Sequence, residues 1–172
     1  MDTVLFNVPS HATITPWVDP VVDQHGHDPR SSYVERFWLG VIGPTATWIM
    51  RRLADGFDAE PGGYRVDLEH MAVAMGLSFT KGGASPFGKA LHRCVMFGLA
   101  QPAADGLAVR RRLPQVAARH LRRLPDDLQA EHLEWARMTL RVDARDLEQR
   151  LLQAGIPPRA VPRATEAVLR AS

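Results

Sequence analysis

Residues 64–113 read YRVDLEHMAVAMGLSFTKGGASPFGKALHRCVMFGLAQPAADGLAVRRRL, and the order of elements in this stretch decides the fold. Tyr64, Val66 and Leu68 alternate with polar Arg65 and Asp67, the period of a short half-buried strand. Asp67 then caps a helix whose apolar residues, Leu68, Met71, Ala72 and Met75, recur at i, i+3, i+4 and i+7. Gly76, able to take positive φ, stops it. After a loop, Ser85 and Pro86 open a second helix as N-cap and first-turn proline. Its apolar stripe is Phe87, Ala90, Leu91, Cys94 and Val95, and Gly98 ends it. Residues 99–103, an Asp105-Gly106 turn, and residues 107–113 follow. With Leu107, Val109, Arg111 and Leu113 on one face, they carry the signature of a β-hairpin.

Strand, helix, helix, hairpin resembles the winged helix-turn-helix DNA-binding domains of bacterial regulators. The segments LEHMAVAMGLS, ALHRCVMFGLA and DGLAVRRRLP carry the likeness, and Ala72 with Gly76 keeps the small-residue-then-glycine spacing of such motifs. The resemblance spans about 50 of the 172 residues plus a preceding helix, at the level of fold only. It implies a mainly α fold with a small β-hairpin, its second helix presented to DNA and its hairpin serving as a wing. Residues 77–84, with FTKGG inside, exceed the usual tight turn between the two helices.

Around this core the expectation is an irregular N-terminal arm (1–28), a winged-helix domain (29–124) and a C-terminal helical extension (125–172). In the arm, residues 4–8 and 12–18 suit short strands or an extended segment. Pro9, Pro16 and Pro20 would confine any strand there to an edge. His11, His25, His27 and Asp28 invite a metal site, but H-x-H spacing alone falls short of convergent ligands. Asp28-Pro29 starts a helix with Tyr33, Val34, Phe37 and Trp38 that Gly40 ends. Gly43-Pro44 starts the next, carrying Trp48, Ile49, Met50, Leu53 and Phe57, and Phe37, Trp38 and Trp48 are expected in the core. Residues 114–124 read as a basic helix. A helix then opens at Pro125, with a break over residues 141–143. Asp143 caps a further helix to Gly155, and a final one follows Pro157-Pro158.

A composition of 45% hydrophobic and 23% charged residues is that of an ordinary globular protein. No apolar run reaches the roughly 18–20 residues of a membrane-spanning helix. MDTVLFNVPSHAT begins acidic and lacks the basic and apolar regions of a secretory signal, so a cytoplasmic protein away from membranes is expected. Cys94, the only cysteine, falls on an apolar helix face and reads as a buried structural thiol. The 19 arginines stand against Lys81 and Lys89 only, a usage typical of high-GC bacterial genomes.

Charge is distributed unevenly. Residues 1–30 hold four aspartates and one arginine, a net −3, whereas residues 81–123 hold nine cations and Asp105 alone, a net +8. A basic segment of this kind points to a polyanionic partner. No phosphate loop, nucleophile elbow, H-E-x-x-H or C-x-x-C is present, so neither an enzyme nor a cofactor is expected. Double-stranded DNA is the expected partner, for a transcriptional regulator or a replication or plasmid-maintenance factor. The alternative is a winged helix that binds a protein. The residues expected to face DNA are Lys81, Ser85, Lys89, His92 and Arg93 on and before the second helix. Arg110 and Arg112 on the wing, and Arg119, Arg122 and Arg123 after it, complete the set. Gly88 and Met96 share the helix face with Lys89. A homodimer through the thin apolar stripes of the C-terminal helices is expected as well.

Overall fold

The computed structural model describes residues 9–171, and the strand expected over residues 4–8 lies outside them. Ala12 and Ile14 point inward between more exposed neighbours, making His11–Pro16 a strand, β1. Asp19 caps the short helix α1 (Pro20–His25), its Oδ1 accepting from the Val22 N–H at 3.2 Å. No helix starts at Asp28-Pro29. Asp28 instead accepts from the Arg30 N–H at 2.7 Å, closing a turn. Helix follows only after that, as a π-helical turn (Val34–Trp38) running into α2 (Leu39–Ile42). Gly40 does not end the helix but lies inside α2, where a Cβ would meet Leu124 Cδ2 at 2.7 Å, and Gly43, at φ +81°, ends the helix instead. Pro44 opens α3 (Pro44–Ala59).

The decisive stretch folds largely as its caps dictate. It gives β2 (Tyr64–Asp67), α4 (Leu68–Ala74), α5 (Pro86–Met96), β3 (Ala100–Ala103) and β4 (Gly106–Val109). Asp67 Oδ1 accepts from the His70 N–H at 2.8 Å, and Ser85 Oγ accepts from the Gly88 N–H at 3.0 Å. Behind α4 and α5, Gly76 and Gly98 take positive φ, and the next residue donates back, Leu77 to Ala72 O and Leu99 to Cys94 O, each at 2.9 Å. That closes both helices with the same six-residue cap. The hairpin turn lies one residue earlier than expected, at Ala104-Asp105, with Gly106 already paired to Ala103.

The four strands are ordered β2-β1-β4-β3, with β1 antiparallel to β2 and parallel to β4. Part of the supposedly irregular arm is therefore an interior strand, contrary to the edge placement its prolines implied. Pro9 precedes the strand and Pro16 is its last residue, so both leave the ladder between them intact. Gly106 makes the insertion sterically possible, since a Cβ at that position would sit 2.1 Å from Thr13 O. Pro102 lies on the outer strand at a position whose missing N–H faces away from β4. There it blunts the exposed edge against further pairing.

The core runs through Ile14, Phe37, Ile42, Ile49, Met50, Leu53, Leu68, Phe87, Leu91, Leu99 and Leu107, all fully buried. Trp48 departs from expectation. It shares the outer face of α3 with Arg52, is 52% exposed, and carries the Arg51 guanidinium 4.9 Å above its ring. Residues 114–117 are extended rather than helical. Trp38 Nε1–H donates to Pro114 O at 2.8 Å, and the Val116 N–H donates to Tyr33 Oη at 3.0 Å, pinning the strap flat. Only Ala118–Leu121 (α6) turns helical.

The chain divides after Leu124 into two compact units. In the second, α7 (Asp126–Gln153) runs unbroken through the break expected at 141–143, because no glycine or proline interrupts it. A 3-10 turn (Pro158–Ala160) leads to α8 (Val161–Ala171), which packs back on α7 and buries Val161 and Thr165. The fold is mainly helical with one small sheet.

Candidate nucleic-acid interface

Helix α5 has two sides. Phe87, Ala90, Leu91 and Cys94 are buried, while Pro86, Lys89, Arg93 and Met96 form an exposed stripe at i, i+3, i+7 and i+10. Lys89 is exposed and has no ion pair among the described residues. Arg93, also exposed, leans toward α2, donating from Nη1 to Ile42 O at 3.0 Å.

The first turn of α5 is covered. Residues 82–84 cross it so closely that a Cβ on Gly88 would meet Gly82 O at 2.4 Å, and Phe79 anchors the loop edge-on against Phe87 at 5.9 Å. Gly88 is therefore buried, not part of the exposed face. Ser85 is 3% exposed, and its hydroxyl is consumed between Gly82 O and the Gly88 N–H, so it caps the helix and has nothing left for a phosphate. Both ring nitrogens of His92 are shielded from solvent, which removes it from the expected contact set. Lys81 stays exposed on the covering loop.

The hairpin arginines have partners within the chain. Arg110 donates from Nε to Gly98 O at 2.8 Å and from Nη1 to Asp19 Oδ2 at 2.7 Å, and its guanidinium lies 4.0 Å from the Trp17 ring centroid. With its side chain 13% exposed, it is a clamp between the segment before α1, the end of α5 and the hairpin rather than an outer wing residue. Arg111, expected to share a sheet face with Leu107, Val109 and Leu113, turns out instead to face Asp23 at 3.8 Å. Arg112 donates to Gly26 O at 2.9 Å and lies in the field of Asp28. A polar cleft of about 250 Å³ is lined here by Asp23, Asp28, Arg30, Asp58, Arg111 and Arg112. Within it Arg30 is bound to Asp28 at 2.8 Å, to Asp55 at 3.0 Å and to Asp58. The Arg110 hydrogen bond holds the Asp19 carboxyl below the usual carboxylate range, and the Arg30 hydrogen bond does the same for Asp28. At the hairpin tip, Ala103, Ala104, Asp105 and Gly106 offer no cation.

What sequence reasoning missed is this cancellation. The acidic N-terminal segment folds onto the basic hairpin exit, Asp19 meeting Arg110 across 91 residues of chain. The opposite charges of the two segments were the available signal, but pairing them needed the β1 insertion.

The α6 turn completes the basic surface. Arg119, Arg122 and Arg123 are exposed, and His120 between them packs its ring against Phe97, at the end of α5, with centroids 4.9 Å apart. Of the nine cations between residues 81 and 123, Arg110 and Arg111 are ion-paired at the hairpin exit and Arg112 is tied to the Gly26 carbonyl. Lys81, Lys89, Arg93, Arg119, Arg122 and Arg123 have no ion pair among the described residues.

Other chemistry-bearing groups are dispersed. Cys94 is fully buried, with its thiol pushed up to about 12 by burial. His11 lies 3.6 Å from Asp67, and His27 stacks on Tyr33 at 3.5 Å between centroids. Among the described residues no three His, Cys, Asp or Glu side chains are grouped to hold a metal. No helix among them is long and apolar enough to cross a membrane. Compared with protein-family models, with curated proteins and with solved structures, the chain matches none.

Proposed function

We propose that this chain is a winged-helix protein that binds double-stranded DNA through α5 and the α6 turn. The observation that carries the reading is the set of six cations, Lys81, Lys89, Arg93, Arg119, Arg122 and Arg123, that lie along α5 and at both its ends and have no ion pair among the described residues. Eleven residues at about 1.5 Å each make α5 roughly 16 Å long, enough to lie in a major groove about 12 Å wide. Lys89, Arg93 and Met96 then face base edges, while Lys81 at one end and Arg119, Arg122 and Arg123 at the other meet phosphates. Element order from α3 to β4 supports the winged-helix assignment, with β1 as an added strand between β2 and the hairpin. The matched arginines argue for a changed division of labour. In this reading the hairpin is a structural element and the α6 turn takes over the phosphate grip of a wing. The role is that of a transcriptional regulator or a replication or plasmid-maintenance factor.

A gel-shift assay on mixed genomic fragments at several salt concentrations tests the proposal. Binding at micromolar protein or tighter near 0.1 M salt, weakening steeply as salt rises, is expected. Absence of binding favours a protein-interaction role, which has its own support. A groove of about 350 Å³ between α3 and α4 is lined by Pro44, Trp48, Ala74, Met75 and Leu77 with Arg52, and includes the exposed Trp48 ring.

A further inference from the structure

The α6 turn carries a histidine among its arginines, as Arg119-His120-Leu121-Arg122-Arg123. Arg119 donates its Nε–H to His120 Nε2 across 3.1 Å. A guanidinium has only donors, so this contact requires an unprotonated Nε2 and a neutral imidazole with its proton on Nδ1. The charged groups acting on the ring are Arg119 and Arg123, both cations, and α5 meets it with the uncharged Phe97. Partial burial first, then these two guanidiniums, hold the imidazole below its ordinary value of 6.5.

We propose that DNA binding by this chain is linked to protonation of His120, making the α6 turn a proton-sensitive phosphate grip. The inference rests on the DNA-binding reading and concerns regulation of the same surface. A proton on Nε2 replaces an acceptor with a donor, so Arg119 can no longer bond to the ring and is released. Arg119, His120, Arg122 and Arg123 then present four cations within five residues. In the free protein the flanking guanidiniums oppose that charge, whereas the phosphates of a bound duplex favour it. Binding therefore takes up one proton in the window between the lowered value of the free protein and the higher value in the complex. Affinity rises as pH falls through this window, by at most about tenfold per pH unit for one proton. Below the window His120 is charged in both states and the affinity levels off.

Anisotropy of a labelled mixed-sequence duplex, at fixed salt from about pH 5.5 to pH 8, tests the linkage. Wild-type affinity is expected to climb on acidification, with the dependence lost in H120Q, which keeps an acceptor for Arg119 but takes no proton. A flat wild-type profile with binding intact overturns the linkage and leaves the DNA-binding reading standing, as does a profile that H120Q retains. Absence of binding at every pH overturns both. Imidazole NMR titration of the wild-type protein gives a measurement that does not depend on the variant folding. The His120 midpoint is expected to move upward when the duplex is added, and an unmoved midpoint in a formed complex overturns the proposal.

Discussion

Arg110 shows how far a side chain's neighbours decide its role. In sequence it is one of three consecutive arginines at the end of a hairpin. In the fold its guanidinium is divided between Gly98 O, Asp19 and the Trp17 ring. Arg110→Ala is expected to lower stability by about 1–3 kcal/mol through the lost hydrogen bonds and stacking, measured by urea denaturation. It should leave duplex affinity per folded molecule nearly unchanged, the opposite of a phosphate contact. The pair also sets an acid limit. Asp19 and Asp28 have native values lowered below 3.8, so their contributions are present above that value and are lost as pH falls through the lowered ones. Stability should therefore drop as pH decreases below about 4, and less steeply in Arg110→Ala. On α5 the two faces separate by size of effect. Leu91, fully buried, should cost about 2–5 kcal/mol on truncation to alanine, whereas exposed Lys89→Ala should barely shift the melting curve. Cys94, buried and with a raised thiol value, should react with a thiol reagent only as the protein unfolds.

At the scale of elements, β1 separates what was legible from what was not. Helices α4 and α5 could be read because their signals are local: Asp67 and Ser85 as caps, Gly76 and Gly98 as stops, apolar residues at helical spacing between them. The hairpin turn was legible to within one residue for the same reason, although its second strand ends at Val109 rather than at residue 113. Nothing local in HATITP says that it lies between β2 and β4, because its partners are Tyr64–Asp67 and Gly106–Val109, roughly 50 and 90 residues away. The strap at 114–117 reads as helix in the sequence yet is not helical, since its hydrogen bonds go to Tyr33 and Trp38, outside its own sequence. Of the candidate site, the exposed basic stripe was legible from periodicity. The burial of Ser85 and Gly88 was not, because it depends on how the Gly82–Ala84 turn crosses α5. Gly106 gives the direct test of the inserted strand. A methyl group there would collide with the Thr13 backbone, so Gly106→Ala should destabilise the first unit far more than a turn substitution such as Ala104→Gly. Near-equal melting temperatures for the two variants would exclude the β1–β4 pairing.

At the scale of the whole molecule, the second unit and the basic surface each carry a test. In the second unit α7 is roughly 42 Å long and α8 roughly 16 Å, so α8 is too short to cover more than part of its neighbour. Leu133, Met138, Leu152, Val168 and Leu169 remain exposed there, and a dimer formed through this unit would cover such residues. Light scattering at tens of micromolar is expected to give twice the chain mass, and a monomer mass would remove the dimer. DNA binding itself is tested most directly by the salt dependence of duplex affinity in two double variants. Arg122→Ala with Arg123→Ala should reduce the magnitude of the log–log slope by about 1.8, or 0.9 for each lost phosphate contact. Arg110→Ala with Arg112→Ala should leave that slope close to wild type. Equal slopes for wild type and the Arg122/Arg123 variant, or no duplex bound more tightly than micromolar near 0.1 M salt, would contradict a DNA-binding surface built on α5 and the α6 turn.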